Sequence, residues 1–258
     1  VSLEKAEAIV IRLADFSESS RVVTLFSREF GKFSALAKGA KRLNGPFDAA
    51  IDVLSMCRVV FIRKSSGSLD LLTEARLVTR FQPSGTDLTS LYGGYYVADL
   101  LNGLTEEYDQ APEIYDLAAS TLNDLAADHQ DSLAAVVEFE IGILRFSGLM
   151  GSLSECTVCG EPVATSGPAT SGRSNQFAHW VSQGGLICSG CRRPEYDGRS
   201  ISAGSVAVLR KLGSDATQLS GRVRLTKQQL TECHHFAVSA IANALGRRPA
   251  TLRYLDFG

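Results

Sequence analysis

Four cysteines constrain this chain more than any other feature. They form two CxxC pairs, Cys156 and Cys159 in "ECTVCGEPV" and Cys188 and Cys191 in "LICSGCRRPEY", with 28 residues between the pairs. Each pair can offer two thiolates from one tight turn, and together they close a tetrahedral sulfur shell around Zn2+. Gly160 and Gly190 supply the backbone freedom such turns need. The interval, with "TSGPATSGRSNQ", is too polar to make a core of its own, so a metal would supply the missing stability. Two disulfides are the other use of such cysteines, and they belong to exported chains. The opening "VSLEKAEAIVIRLADFSESS" has early acids and no basic n-region, so it does not read as a signal peptide. No run of about 18 apolar residues is present to span a bilayer. A soluble cytoplasmic chain with a zinc site is therefore expected.

That zinc is expected to be structural. A hydrolytic site keeps a coordination position open to water, and four thiolates leave none. The zinc deaminases add an HxE and a Pro before the first Cys; here His179 is followed by Trp-Val and no Pro precedes Cys156. No HExxH, P-loop, GxGxxG after a strand, or GxSxG occurs, so no enzyme is expected. Cys57 and Cys233 sit in apolar runs and read as core. His234 and His235 diverge around a helix and read as a satisfied or exposed pair. Trp180 is expected to pack against the metal module.

Along the chain, residues 1–81 read as five short β-runs rich in Val, Ile, Leu and Phe, with "REFGK" and "KSSGS" as turns. Five strands in so short a segment suit a small closed barrel of the OB type. From about residue 84 the period becomes helical. Leu88, Leu91, Tyr92, Tyr95, Tyr96 and Leu100 recur at spacings of three and four, and the tyrosines are expected in the core. Pro112 opens a second helix, Asp131 or Ser132 caps a third, "SAGSVAVLRKLG" reads as a fourth, and Thr226 with Gln229 makes a capping box for a fifth. The fold class is thus α+β: an OB barrel over 1–81, a helical domain over 82–258, and a zinc-binding insertion over 151–200.

A net charge of −2 hides a segregation. Residues 1–80 carry 13 Lys/Arg against 9 Asp/Glu, residues 81–150 one against 12, and residues 151–258 12 against 7. The first block gathers Arg28, Lys32, Lys38, Lys41 and Arg42 around one hairpin and the loop after it, then Arg63 and Lys64 at a second, with Arg76 and Arg80 on the last strand. A barrel with cationic loops can track a phosphate backbone, releasing counterions as it does. Phe33 either stacks a base or faces the barrel interior, and its place in an alternating strand favours the interior.

The order of these parts resembles the RecO family across nearly the whole chain. The likeness is carried by "EAIVIRLADFSESSRVVTLFSREFGKFSALAKGAKR", "KSSGSLDLLTEARLV", "LTSLYGGYYVADLLNGLTEE" and "FEIGILRFSGLMGSLSECTVCG", the last running a helix straight into the first knuckle. The final "GRRPATLRYLDFG" matches only loosely. The resemblance implies a recombination mediator that binds single- and double-stranded DNA, anneals complementary strands and, with RecR and in some pathways RecF, helps load RecA on strands coated with single-stranded DNA-binding protein. It implies Lys38, Lys41, Arg42, Arg63, Lys64 and Arg80 as the DNA-binding surface and the four CxxC cysteines as metal ligands. Arg192 and Arg193 either extend that surface or are ordinary surface residues. It also implies a nucleoid-associated cytoplasmic location. The rival expectation is an adaptor whose basic barrel surface mainly docks RecR and the acidic tail of the strand-coating protein.

Overall fold

The computed structural model describes residues 2–42, 47, 50–64, 69–83, 88–127, 131–163, 176–180, 184–194, 200–214 and 225–257. The expected turn within "KSSGS" and most of the polar stretch between the CxxC pairs lie outside the described residues. Two compact units divide the chain, residues 1–129 and residues 130–258.

The first unit is built on five strands: β1 (Ser2–Asp15), β2 (Arg21–Ser27), β3 (Gly31–Ala37), β4 (Met56–Arg63) and β5 (Asp70–Thr79). They close into a barrel in the order β1-β2-β3-β5-β4. All neighbours are antiparallel except β3 and β5, which pair in parallel through Ala35, Leu36 and Ala37. The alternation in β3 shows why the sequence folds this way. Gly31, Phe33, Ala35 and Ala37 are buried while Lys32, Ser34 and Leu36 between them are half-buried, which is the period of two a half-covered strand requires. An irregularity between Val10 and Arg12 bends the long β1, so that one strand serves both β2 and β4.

Phe33 settles as an interior residue. It is fully buried and stacks on Phe61 with ring centroids 4.3 Å apart, so it faces the core and offers no surface to a base. Cys57 is buried in the same cluster, as expected.

Two helices complete this unit, α1 (Leu88–Leu104) and α2 (Pro112–Ala126), the second with its Pro in the first turn. The inward face of α1 differs from the sequence expectation. Leu88 is 62% and Tyr95 40% exposed, whereas Gly93, Gly94, Tyr96, Val97, Leu100 and Leu101 are buried. Glycine explains the rotation. A Cβ at Gly94 would lie 2.8 Å from the Leu54 side chain and 2.9 Å from the Phe81 ring, so the helix approaches its neighbours through its smallest residues. Apolar periodicity assigns glycine no weight and misses that face.

In the second unit α3 (Ser132–Phe146) is capped by Asp131, whose side chain accepts from the backbone N–H of Leu133 and Ala134. Strands β6 (Gln176–Trp180), β7 (Gly185–Ile187) and β8 (Ser200–Ser202) form a small antiparallel sheet with β6 in the middle. Helices α4 (Ala203–Ser214) and α5 (Lys227–Leu245) follow, then a short 3-10 turn at Ala250–Tyr254. The capping box of Thr226 and Gln229 forms with both of its hydrogen bonds. Helices α3, α4 and α5 pack on one another. Buried within them, His234 Nδ1 lies 3.0 Å from Glu140 Oε2, and the Phe257 ring stacks on His234 with centroids 3.5 Å apart. The histidine pair thus splits as a helix demands: His234 is satisfied internally, and among the described residues neither joins a metal-binding cluster.

Candidate metal centre and nucleic-acid interface

The knuckles are shaped by backbone hydrogen bonds before any ion is considered. Gly160 N–H donates to Cys156 C=O at 2.8 Å and Cys191 N–H to Cys188 C=O at 3.0 Å, each closing a tight turn. Gly160 sits at φ +71°, the left-handed region that favours glycine. Gly190 is not left-handed, so the second knuckle turns without the conformational licence expected for it. Thr157 N–H donates to Leu186 C=O at 2.8 Å, which lashes the first knuckle to β7. Arg210 of α4 donates to Leu153 C=O and Val163 C=O at 2.6 and 2.8 Å, bracketing that knuckle from both sides.

This framework brings Cys156, Cys159, Cys188 and Cys191 together, with one sulfur of each within 4.8 Å of the others. All four are free thiols. The Cys159 and Cys188 sulfurs stand 3.8 Å apart. A disulfide would need about 2.05 Å, while a tetrahedron with metal–sulfur bonds of about 2.3 Å has edges of about 3.8 Å. The four cysteines can hold one metal ion. Electrostatics agree: burial opposes charge on Cys156, yet N–H groups of Cys188, Cys159 and Val158 aim at its sulfur and draw its pKa down to about 6. Hydrogen bonding with Cys159 and Cys188, then burial, pushes Cys191 up to about 12. The Cys156 thiolate forms readily while the Cys159 and Cys191 thiols resist ionisation, a balance that a central cation reverses. Trp180 packs against the Cys156–Ala178–Ile187 cluster, where it was expected.

His179, on β6, is 3% exposed with an unpartnered Nε2. Burial pulls its pKa down to about 4, against about 6.5 in the unfolded chain. As pH falls through about 6.5 the unfolded state takes up a proton that the folded state refuses until about pH 4. The stability contributed is therefore complete above about pH 6.5 and drains by about 3 kcal/mol on the way to pH 4. Denaturation of wild type and His179→Gln across that range should show a steeper acid loss in the wild type. Parallel curves would mean that His179 does not titrate this way.

The basic residues of the barrel fare unequally. Arg28 donates through Nε and a terminal nitrogen to Asp116 at 2.9 and 3.0 Å. Lys32 Nζ donates to Asn102 C=O at 2.6 Å and to Thr105 C=O, capping the C-terminal end of α1. Burial pushes the Lys32 pKa down, against the pull of Glu106 and Glu107. Both are structural. Lys41 Nζ meets Asp15 at 2.9 Å and Ser17 C=O at 3.1 Å, and its hydrogen bond to Asp15, with Arg21 nearby, overcomes desolvation to lower the Asp15 pKa. Arg63 lays its guanidinium 3.9 Å from the centre of the Tyr108 ring. Lys38, Arg42 and Lys64 are exposed, and their side-chain cations form no ion pair among the described residues, though the Lys64 backbone N–H donates to Asp70 Oδ1 at 2.9 Å. Arg80, just past β5, is exposed and has contacts of its own.

Register separates these six. Lys38, Lys41 and Arg42 leave the end of β3, where Ala37 pairs with Leu72. Arg63 follows Ile62, which pairs with Leu71 and through it neighbours Leu36, two strands or about 10 Å from β3. Arg80 lies eight positions beyond Leu72, about 26 Å further along β5. The structure thus gathers the β3 loop with the end of β4 and leaves Arg80 apart. Sequence reading missed Tyr108 and Arg210 as braces, and a signal at short range is absent because their partners are remote in the chain.

Barrel, helices and thiol cluster define a two-unit α+β protein with four cysteines placed to hold one metal ion. The family model for the N-terminal part of recombination protein O matches residues 1–81, and that for the C-terminal part matches residues 85–253. Curated proteins named DNA repair protein RecO are similar: that of Rhodopirellula baltica is 36% identical over 81% of this chain and 74% of its own. That of Anaeromyxobacter dehalogenans is 31% identical over 98% and 95%, and that of Myxococcus xanthus 30% over 97% and 95%. The chain belongs to the RecO family. No helix among the described residues is long and apolar enough to cross a membrane.

Proposed function

We propose that this protein is a non-catalytic recombination mediator in DNA repair, with the barrel as its DNA-holding surface and Zn2+ as a structural ion. It binds single- and double-stranded DNA, anneals complementary strands, and with RecR (and RecF where that pathway operates) helps place RecA on strands coated with single-stranded DNA-binding protein, in the cytoplasm at the nucleoid. The observation that carries the reading is the exposed trio Lys38, Arg42 and Lys64, whose side-chain cations form no ion pair among the described residues, on a closed five-stranded barrel of a RecO-family chain. Annealing needs no bond-making by protein. A cationic face that seats two phosphate backbones lowers their repulsion and raises local strand concentration, and base pairing supplies the specificity. The N-terminal domain is taken as residues 1–81, the helical domain as 82–258 and the zinc-binding insertion as 151–200.

Lys38→Gln/Arg42→Gln should weaken binding to single-stranded DNA about 20-fold at 0.1 M salt and flatten the log–log salt slope by about 1.4, that is, about 0.7 for each phosphate no longer neutralised. Fluorescence anisotropy across a salt series reads both. Wild-type affinity and slope in this variant would remove the barrel loop from the DNA surface. Binding that persists until an acidic tail peptide competes for the same cations would instead favour the adaptor role.

A further inference from the structure

Phe16 is the most exposed aromatic side chain among the described residues, 60% open to solvent. It stands in the turn "DFSESS" between β1 and β2, which is closed by backbone and serine hydrogen bonds without use of the ring. Phe16 N–H and Ser17 N–H both donate to Ser20 C=O, at 3.1 and 3.2 Å, and Ser20 N–H donates to Ser17 Oγ at 3.2 Å. An apolar ring left in water there forgoes its burial free energy, and lone exposed apolar residues usually need no explanation. The position of this one does.

The turn is fastened to the cationic loop that follows β3. Asp15, Arg21 and Ala37 lie in one row across β1, β2 and β3, so Phe16, Ser20 and Lys38 occupy the next step over the rim. Lys41 N–H donates to Ser19 C=O at 3.1 Å, and Lys41 Nζ reaches Ser17 C=O at 3.1 Å and Asp15 at 2.9 Å. Lys41 is thus the tie that holds turn and loop together, and Lys38 and Arg42 on the tied loop are exposed. The turn carries its own acid, Glu18, so it is no seat for a phosphate. An exposed ring on a turn tied to a loop with two exposed cations suits a nucleotide that puts its phosphate on the loop and its base on the turn.

We propose that Phe16 is a stacking platform for an unpaired base, giving the barrel rim a preference for single strands that charge alone does not confer. The assignment rests on the DNA-binding reading above and adds the residue that distinguishes strand types. Stacking needs a free base face, which a duplex keeps within its own stack. Lys38 and Arg42 meet phosphate in either form.

The test uses the full chain, an oligothymidine of about 16 nucleotides and a blunt duplex of equal length. Phe16→Ala should weaken oligothymidine binding about 5- to 100-fold, leave duplex binding within about twofold, and leave the salt slope unchanged because every ionic pairing with phosphate is kept. Phe16→Trp should restore or strengthen the single-strand affinity. Unaltered oligothymidine binding by Phe16→Ala, or an equal loss on both substrates, would overturn the assignment. If Lys38→Gln/Arg42→Gln loses affinity while Phe16→Ala does not, the ring is wrong and the DNA surface stands. If neither variant loses affinity, both readings fall. A thermal melt of Phe16→Ala matching the wild type shows that any loss comes from the missing ring and not from unfolding.

Discussion

Cys159→Ser should lose stoichiometric zinc and loosen the knuckle module while the barrel stays folded. Cys159 is the exposed member of the thiol set, so replacing its sulfur by oxygen removes a ligand without opening a cavity. A structural zinc site contributes free energy on the order of 10 kcal/mol to a small module that cannot fold alone. The proposed ion would give this module such help: β7 and β8 hold three residues each, too few to stand as a sheet unaided. Zinc analysis of the dialysed variant should fall far below one ion per chain, and amide exchange should quicken at Ala178, Leu186 and Ile187, which are protected by burial. DNA affinity and its salt slope should remain within about twofold of wild type, because the cations proposed to set them lie in the other unit. Full zinc content with unchanged exchange would mean that the ion is held without the Cys159 sulfur and that the four-thiolate site is wrong. A collapse of DNA binding with zinc loss would mean that the ion does more than brace the fold.

The parts of this fold visible in the sequence were those whose cause is local. CxxC spacing located the thiol cluster because each knuckle is one turn, and alternation located the five barrel strands because a closed barrel buries every second residue. Asp131, Pro112 and the Thr226–Gln229 box marked helix starts because capping is decided within one turn. What stayed hidden depends on distant partners. Nothing near Arg28 announces Asp116, and nothing near Lys32 announces the end of α1, so a basic hairpin read as one cationic surface separates into structural and exposed residues. The same limit applies to Arg63, whose ring partner Tyr108 is supplied by the α1–α2 connection. The inward turn of Gly93 and Gly94 was invisible because small size, not apolarity, places them. Strands β6 to β8 were missed because three to five residues carry too little period to detect.

Gly31→Ala should be far more damaging than Gly39→Ala, although both glycines lie in the left-handed region, at φ +67° and +77°. That conformation alone costs an L-residue roughly 1–2 kcal/mol. At Gly39 little else intervenes, since an added Cβ would meet only the Arg42 side chain at 3.6 Å. At Gly31 the added Cβ would lie 1.7 Å from the carbonyl oxygen of Asp109, and backbone faces backbone with no flexible end to give way. Relief requires the β2–β3 hairpin to part from the segment after α1. Parting forfeits the 2.8 Å bond from Tyr108 N–H to Lys32 C=O, the Lys32 cap on α1 and the stacking of Phe33 with Tyr108. With the strain included, the loss should reach roughly 3–5 kcal/mol, much of the margin by which a domain of this size is folded. Chemical denaturation of the two variants beside wild type measures both effects, and the difference between them isolates the backbone overlap. Equal losses would show that the hairpin does not rest on Asp109 in solution, and Lys32 and Arg28 would then be freed to join the cationic rim.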